Sequence, residues 1–265
     1  MIFVGERING MYKDVKKAIQ TKDASVIKDL AQRQTQAGAK YLDVNVGTAA
    51  EDPCQAMRWL VETLQATVPT PLCLDSQKLD VIRAGLEAAG GAHTIINSTS
   101  GDEAKLDVYM PLAVQNNAGL IALTMNAAGI PQDVDTRLAI AATIAAKAVE
   151  HGLDMTRLFI DPVVLPLNID QNQPRYLMEV MSQIKVISDP PPHIMCGLSN
   201  ISQMAKEKQV KELINRTFLV MAIAHGLDSA ICDVLDTALV DAAVTADLVL
   251  NKFIFSESYL KAARM

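Results

Sequence analysis

The chain has 265 residues, half of them hydrophobic, with a formal charge of -6 and a pI near 5.2, enough for one large α/β barrel or two small domains. An acidic balance without clustered Lys and Arg excludes a nucleic-acid surface. No segment is apolar over the roughly 20 residues a membrane helix requires, and "MIFVGERING" has no basic, then long apolar, signal segment, so a cytoplasmic protein is expected.

Short apolar, β-rich runs recur along the chain at Ile2 to Ile8, Lys40 to Val46, Pro71 to Ser76, His93 to Thr99, Gly119 to Met125, Leu158 to Val164, Ile194 to Asn200 and Leu227 to Val234. Between them lie stretches of helical periodicity: "SVIKDLAQRQTQAGA", "PCQAMRWLVETLQAT", "LDVIRAGLEAAG", "TRLAIAATIAAKAVEHG" and "LINRTFLVMAIAHG". Gly38, Gly90, Gly152 and Gly226 sit where such helices end. Strands that are apolar almost throughout are buried on both faces, and βα alternation implies parallel pairing with right-handed crossovers. Eight such units predict a single-domain (β/α)8 barrel. A doubly wound open sheet would want a glycine-rich phosphate turn after its first strand, and "GERING" supplies no GxGxxG.

The ends of these runs are polar. "YLDVNVG" carries Asp43 and Asn45, "LCLDS" Asp75, "TIINST" Asn97, "ALTMN" Asn126, "FIDPVVLP" Asp161 and "MCGLSN" Asn200. Asp and Asn are also the preferred helix N-caps, but a cap sits one or two residues beyond a strand, whereas "LCLD", "FID" and "TIIN" set the polar group directly on the apolar run. In a barrel, the carboxyl ends of the strands line one mouth, where active sites are built. The seven residues are therefore expected to converge there. Carboxylates facing carboxamides offer alternating acceptors and donors, suited to a flat, neutral heterocycle such as an aminopyrimidinone, or to a hard cation held by Asp43, Asp75 and Asp161.

Other chemistries lack their residues. His93 and His193 open predicted strands and His151 and His225 close predicted helices, so all four belong to the far end of the barrel. No HxH or HExxH occurs, Cys54, Cys73, Cys196 and Cys232 form no metal-ligand spacing, and no lysine lies inside a strand beyond Lys40 for a Schiff base. What remains is binding by hydrogen bonds, or a hard cation held by Asp43, Asp75 and Asp161. The loops after the last two strands lack the paired glycines of a barrel phosphate site; "GLSNIS" contributes only Gly197.

The motifs "GERINGM", "LDVNVG", "LCLDS", "INST", "LTMNAAGIPQDVDTRLA", "IDPVVLPLN", "GLSNISQ" and "LINRTFL" together resemble the methyltetrahydrofolate:corrinoid protein methyltransferases of acetogens and related anaerobes. These belong to a pterin-binding barrel group that includes dihydropteroate synthase and the folate module of cobalamin-dependent methionine synthase. The resemblance spans essentially the whole chain and implies one pterin-binding barrel domain over residues 1–265. It implies that Asp75, Asn97 and Asp161 bind the pterin, that Asn200 hydrogen-bonds N5 of the folate, and that Gly197, Ser199 and Gln203 line the pocket. Methyl transfer between N5 and the cobalt of a corrinoid is the implied activity. Asn200 would then be catalytic, with the proton supplied by water or through Asp161 or Asp75, and the cobalamin would arrive on a partner protein or free.

The alternatives are a dihydropteroate-synthase-like reaction, for which only Arg7 and Lys78 could neutralise pyrophosphate at the mouth, and a folate-binding module without catalysis. Where enzymes serving a corrinoid/iron-sulfur protein are expected to carry an arginine, the loop Met204 to Gln209 reads "MAKEKQ"; Lys208 is its nearest basic residue, and Lys and Arg are not equivalent at a rim. The apolar, alanine-rich "DTALVDAAVTADLVLNKFIF" fits either ordinary packing of the eighth helix or a homodimer that covers the surplus surface, and the resemblance implies the homodimer.

Overall fold

In the computed structural model, which describes residues 1–263, the eight runs become eight parallel strands that close in chain order. They are β1 (Ile2–Asn9), β2 (Tyr41–Asn45), β3 (Leu72–Asp75), β4 (Thr94–Ser100), β5 (Gly119–Leu123), β6 (Leu158–Asp161), β7 (His193–Gly197) and β8 (Ser229–Cys232). β1 seals the cylinder, with Val4 opposite Tyr41 on one side and Ile2 opposite Ser229 on the other. The barrel is the (β/α)8 fold expected.

Several strands stop short of the apolar runs. β6 ends at Asp161 because Pro162 has no N–H to give a ladder and Val163 turns to a φ of 64°, outside strand geometry. β5 ends at Leu123, so Asn126, expected at a strand end, lies three residues on in a turn where its Oδ1 accepts from the Ala128 N–H at 3.0 Å. Asn200 likewise sits beyond β7, in a 3-10 turn over Leu198–Ser202.

Two helices, α1 (Lys13–Thr21) and α2 (Ala24–Gln36), lie between β1 and β2; α3 (Pro53–Gln65), α4 (Leu79–Ala89), α5 (Glu103–Gln115), α6 (Val134–His151), α7 (Gln173–Ile184), α8 (Lys208–Ala224) and α9 (Thr237–Val249) follow the later strands, and a short α10 (Tyr259–Ala263) trails. The helix N-caps are not the strand-end residues. Asp23, Asp52, Asp133 and Asp236 accept from the first-turn N–H groups of α2, α3, α6 and α9, which frees the strand-end set for the mouth. Gly90 and Gly152 take the left-handed conformation that closes α4 and α6.

Side chains alternate across each strand, and so divide into two apolar clusters. One fills the ring between sheet and helices. The other plugs the lumen: Val4, Cys73, Ile95, Ile121, Phe159 and Met195, packed with Ile2, Tyr41, Leu123 and Ile231. Cys73, Cys196 and Cys232 are buried in strands as unpaired thiols. The histidines sit at the far end, as expected: Tyr41 shares a 2.7 Å hydrogen bond with His93, His193 stacks on Phe159 with ring centres 4.7 Å apart, and His151 and His225 close α6 and α8. Among the described residues no helix is long and apolar enough to cross a membrane.

Candidate active site

Moving two residues toward the carboxyl end from each lumen residue keeps the side chain on the inner face and reaches the mouth. Val4 leads to Glu6, Tyr41 to Asp43, Cys73 to Asp75, Ile95 to Asn97, Phe159 to Asp161 and Met195 to Gly197. The apolar plug is therefore overlaid by a polar ring, enclosing a cavity of about 300 Å³ that Tyr12, Ser199 and Asn200 also line. Its apolar contributions come from Leu123, Val163, Val164 and Ile231.

On the β2–β4 wall each acid is held by an amide. Asn97 donates from Nδ2 to Asp43 at 3.0 Å, which leaves the Asn97 carbonyl oxygen for an incoming N–H. Asn45 donates from Nδ2 to Asp75 and is itself fixed by the Gly47 N–H at 2.6 Å. Across the mouth, Asp161 accepts from the Val163 N–H at 2.7 Å. On the β1–β7 side, the Ser199 hydroxyl stands 2.8 Å from both oxygens of Glu6 and donates to that carboxyl.

None of these acids meets a cation directly, so burial dominates their protonation. Burial raises Glu6 from 4.5 to about 7, against the Ser199 hydrogen bond and with Asp233 adding to the rise. Asp75 is raised to about 6 by burial despite Asn45, and Asp161 to about 6 by burial despite the Val163 and Gly197 N–H groups and the field of Arg137. Asp43 is raised well above the usual carboxylate range, by burial first and then by the Asp75 charge. The site thus holds carboxyls that exchange protons near neutrality.

Arg137, buried on α6, fixes the loop after Asp161. It donates to the carbonyls of Pro131 at 2.8 Å, of Pro162 and of Val163 at 3.1 Å. Val163 is thereby held in its left-handed conformation with its N–H turned back onto Asp161.

Of the residues expected from sequence, Asp43, Asp75, Asn97, Asp161, Gly197, Ser199 and Asn200 gather round the cavity. Gln203 and Lys208 do not; they line an adjoining trough of about 450 Å³ that runs over Ser199 and Asn200 to α8. Asn45 borders a second trough, about 680 Å³, which leaves the Asp75 side toward Ser76 and Lys78. Arg7 turns away, pairing with Asp14 at 3.1 Å and covering the Tyr12 ring at 3.9 Å. The aspartates are not gathered as ligands for a cation: among the described residues, the set of three acidic or ligating groups within 4.8 Å of one another is Asp107, Glu150 and His151, outside the barrel. Glu6 and Tyr12 were not anticipated. The alternation Ile2, Val4, Glu6 repeats that of Cys73 and Asp75 and was the available signal for Glu6.

The chain matches the family model for pterin binding enzymes over residues 5–233. It is 33% identical over 268 residues to a methylcorrinoid:tetrahydrofolate methyltransferase of Eubacterium limosum, covering 100% of this chain and 96% of that protein. It is 28% identical over 241 residues to a methionine synthase of Mycobacterium leprae, covering 87% of this chain but 20% of that longer protein. Among solved structures, a dihydropteroate synthase of Coxiella burnetii in complex with pteroic acid superposes with a TM-score of 0.72 at 12% identity, covering 95% of this chain and 94% of that one; at that identity the likeness speaks for the fold alone.

Proposed function

The chain belongs to the pterin binding enzyme family, and from that premise we propose that it is a methyltransferase acting between a methylated corrinoid and tetrahydrofolate at N5, with residues 1–265 as one pterin-binding barrel domain. The observation that carries the reading is the single cavity in which Asp75, Asn97 and Asp161 form a polar floor while Asn200 stands at its edge. A pterin's aminopyrimidinone edge presents adjacent N–H donors and a ring acceptor, and the floor offers carboxyl and amide groups against them. The names of the relatives, one a methylcorrinoid:tetrahydrofolate methyltransferase and one a methionine synthase, support the same substrate pair.

In the direction of the first relative's name, N5 of tetrahydrofolate takes the methyl group, the cobalt keeps the electron pair of the broken bond, and the N5 proton leaves. The reverse reaction needs that proton returned as the C–N bond breaks, because an unprotonated N5 is too basic to leave. Asn200 donates a hydrogen bond to N5 that strengthens as negative charge develops there. An amide is no general acid, so the proton moves through water to a carboxyl, with Asp161 and Asp75 both titrating in the useful range.

A dihydropteroate-synthase-like reaction fits the side chains less well. It would ask cations to neutralise pyrophosphate beside the pterin, and Arg7 is turned to Asp14, Lys78 lies at the edge of a separate trough, and Lys208 and Lys211 line the adjoining trough, not the pterin cavity itself. We further propose a cytoplasmic, anaerobic setting, no metal of the protein's own, and a free-standing corrinoid protein or free cobalamin as the methyl partner. The rim loop Met204 to Gln209, of mixed charge and without an arginine, supports that choice of partner. A homodimer is supported by the apolar exposure of Val249 at the end of α9 and of Leu250, Phe253, Ile254 and Phe255 just beyond it, and a monomeric mass in light scattering would remove it. The activity is tested by mixing the protein with methylcobalamin and tetrahydrofolate: conversion to cob(I)alamin and 5-methyltetrahydrofolate is expected, and an unchanged cobalt spectrum in both directions would sink the reading.

A further inference from the structure

A pterin set on this floor has only one side on which its substituent can leave. C6, which carries the p-aminobenzoyl-glutamate arm of a folate, is bonded to N5, so an arm must depart on the Asn200 side and away from Asp75. The 680 Å³ trough beyond Asp75 is at the wrong end. The 450 Å³ trough is at the right one, since it shares Ser199 and Asn200 with the pterin cavity and continues outward to α8.

That trough changes character along its length. Its inner acids are partly answered, with Asp236 accepting from Arg216 at 2.7 and 2.9 Å. Its outer end carries Lys208 and Lys211, one turn apart at the start of α8, where Glu207 makes no side-chain cap and leaves first-turn N–H groups pointing outward. Lys211 has no carboxylate within ion-pair distance among the described residues, while Lys208 has Glu212 at 3.5 Å. Between the two ends lies Asn215, whose buried Oδ1 has no hydrogen-bond partner. A buried amide oxygen without a partner costs free energy until a donor reaches it.

Resting on the reading that the floor takes the pterin, we propose that this trough binds the arm of the folate: Asn215 meets its benzamide N–H after a turn of its amide, and Lys211 and Lys208, with the α8 N-terminus, hold the glutamate carboxylates. Additional γ-linked glutamates bring further carboxylates within reach of both lysines, so oligoglutamyl folates are the preferred substrate class. Lys208 then serves the folate and not the corrinoid partner.

The test compares monoglutamyl and triglutamyl tetrahydrofolate with 6-methyltetrahydropterin, which lacks the arm. Exposed ion pairs are individually weak, so the wild type is expected to show a KM for the triglutamyl form about three- to tenfold below the monoglutamyl one, an advantage eroded by salt. The Lys208→Ala/Lys211→Ala variant is expected to lose that advantage while its KM for 6-methyltetrahydropterin stays put. An equal change for the pterin lacking the arm, a change in KM for the corrinoid instead, or an undiminished triglutamate preference would each overturn the proposal. Calorimetric binding of the three pterins separates the two layers of inference. If none binds, the pterin reading itself fails; if they bind without regard to the lysines, only the trough assignment fails.

Discussion

A methyl group added to Gly197 would stand 3.0 Å from Nδ2 of Asn200. The glycine is not there for backbone freedom, because its φ is -76°. It makes room for the amide of Asn200 to fold back over the end of β7. Gly197→Ala is therefore expected to push that amide aside, lowering methyl-transfer rate by about tenfold or more, since small misplacements of a reacting group are costly. Stability should change by less than about 1.5 kcal/mol. A variant with unaltered transfer would show that Asn200 does not act from its observed position.

Removing the Asn200 amide separates catalysis from mere binding. If the amide acts on charge that develops at N5, Asn200→Ala should lower kcat by about 10²- to 10³-fold with a much smaller loss of tetrahydrofolate affinity. Equal losses in rate and affinity would favour a folate-binding module that does no chemistry.

The raised carboxyls also set how stability depends on pH. A carboxyl whose folded pKa lies above its unfolded value binds more protons in the folded state between the two, so stability is greatest below the unfolded pKa and falls as pH rises toward the folded one. Glu6, at about 7, with Asp75 and Asp161 at about 6, places that fall between roughly pH 4 and 7. The ligand-free protein should melt several degrees lower at pH 8 than at pH 5, and Glu6→Gln should flatten the decline. A Tm that rises across this window would contradict the burial of these groups as ionisable acids.

Arg137 carries a prediction of a different kind. Replacing it with Met leaves the carbonyls of Pro131, Pro162 and Val163 without their charged donor, at a cost of about 2–4 kcal/mol. It also removes the positive field on Asp161, so the Asp161 pKa should rise and the pH profile of transfer should move upward with it. Chemical denaturation and a pH–rate series check the two halves separately. A stable variant with an unmoved profile would mean that the loop holds itself.

The sequence made the barrel legible because βα alternation and doubly buried strands leave few other architectures. It located Asp75, Asn97 and Asp161 because each directly follows an apolar run on the inward face. Asn126 misled for the same reason: "ALTM" continues the apolar run past the point where β5 stops pairing, and hydrophobicity does not mark that point. Glu6 escaped for the opposite reason. In "IFVGERIN" the chain returns to Ile8 after the acid, and the pairing of β1 with β2 shifts register between Gly5 and Ile8, so the acid looks like an interruption and not an end. Arg137 was invisible, since nothing local to α6 says that its guanidinium will reach a loop more than twenty residues away.

The packed lumen has a kinetic meaning. With Phe159, Met195 and their neighbours filling the interior, nothing crosses the barrel from its far end, and both reactants share one doorway. On the proposed function, a pterin lying deepest would be trapped for as long as a corrinoid stood over it. The residence time of the second arrival then governs the departure of the first, so an excess of corrinoid should slow the exchange of labelled folate instead of competing for its seat.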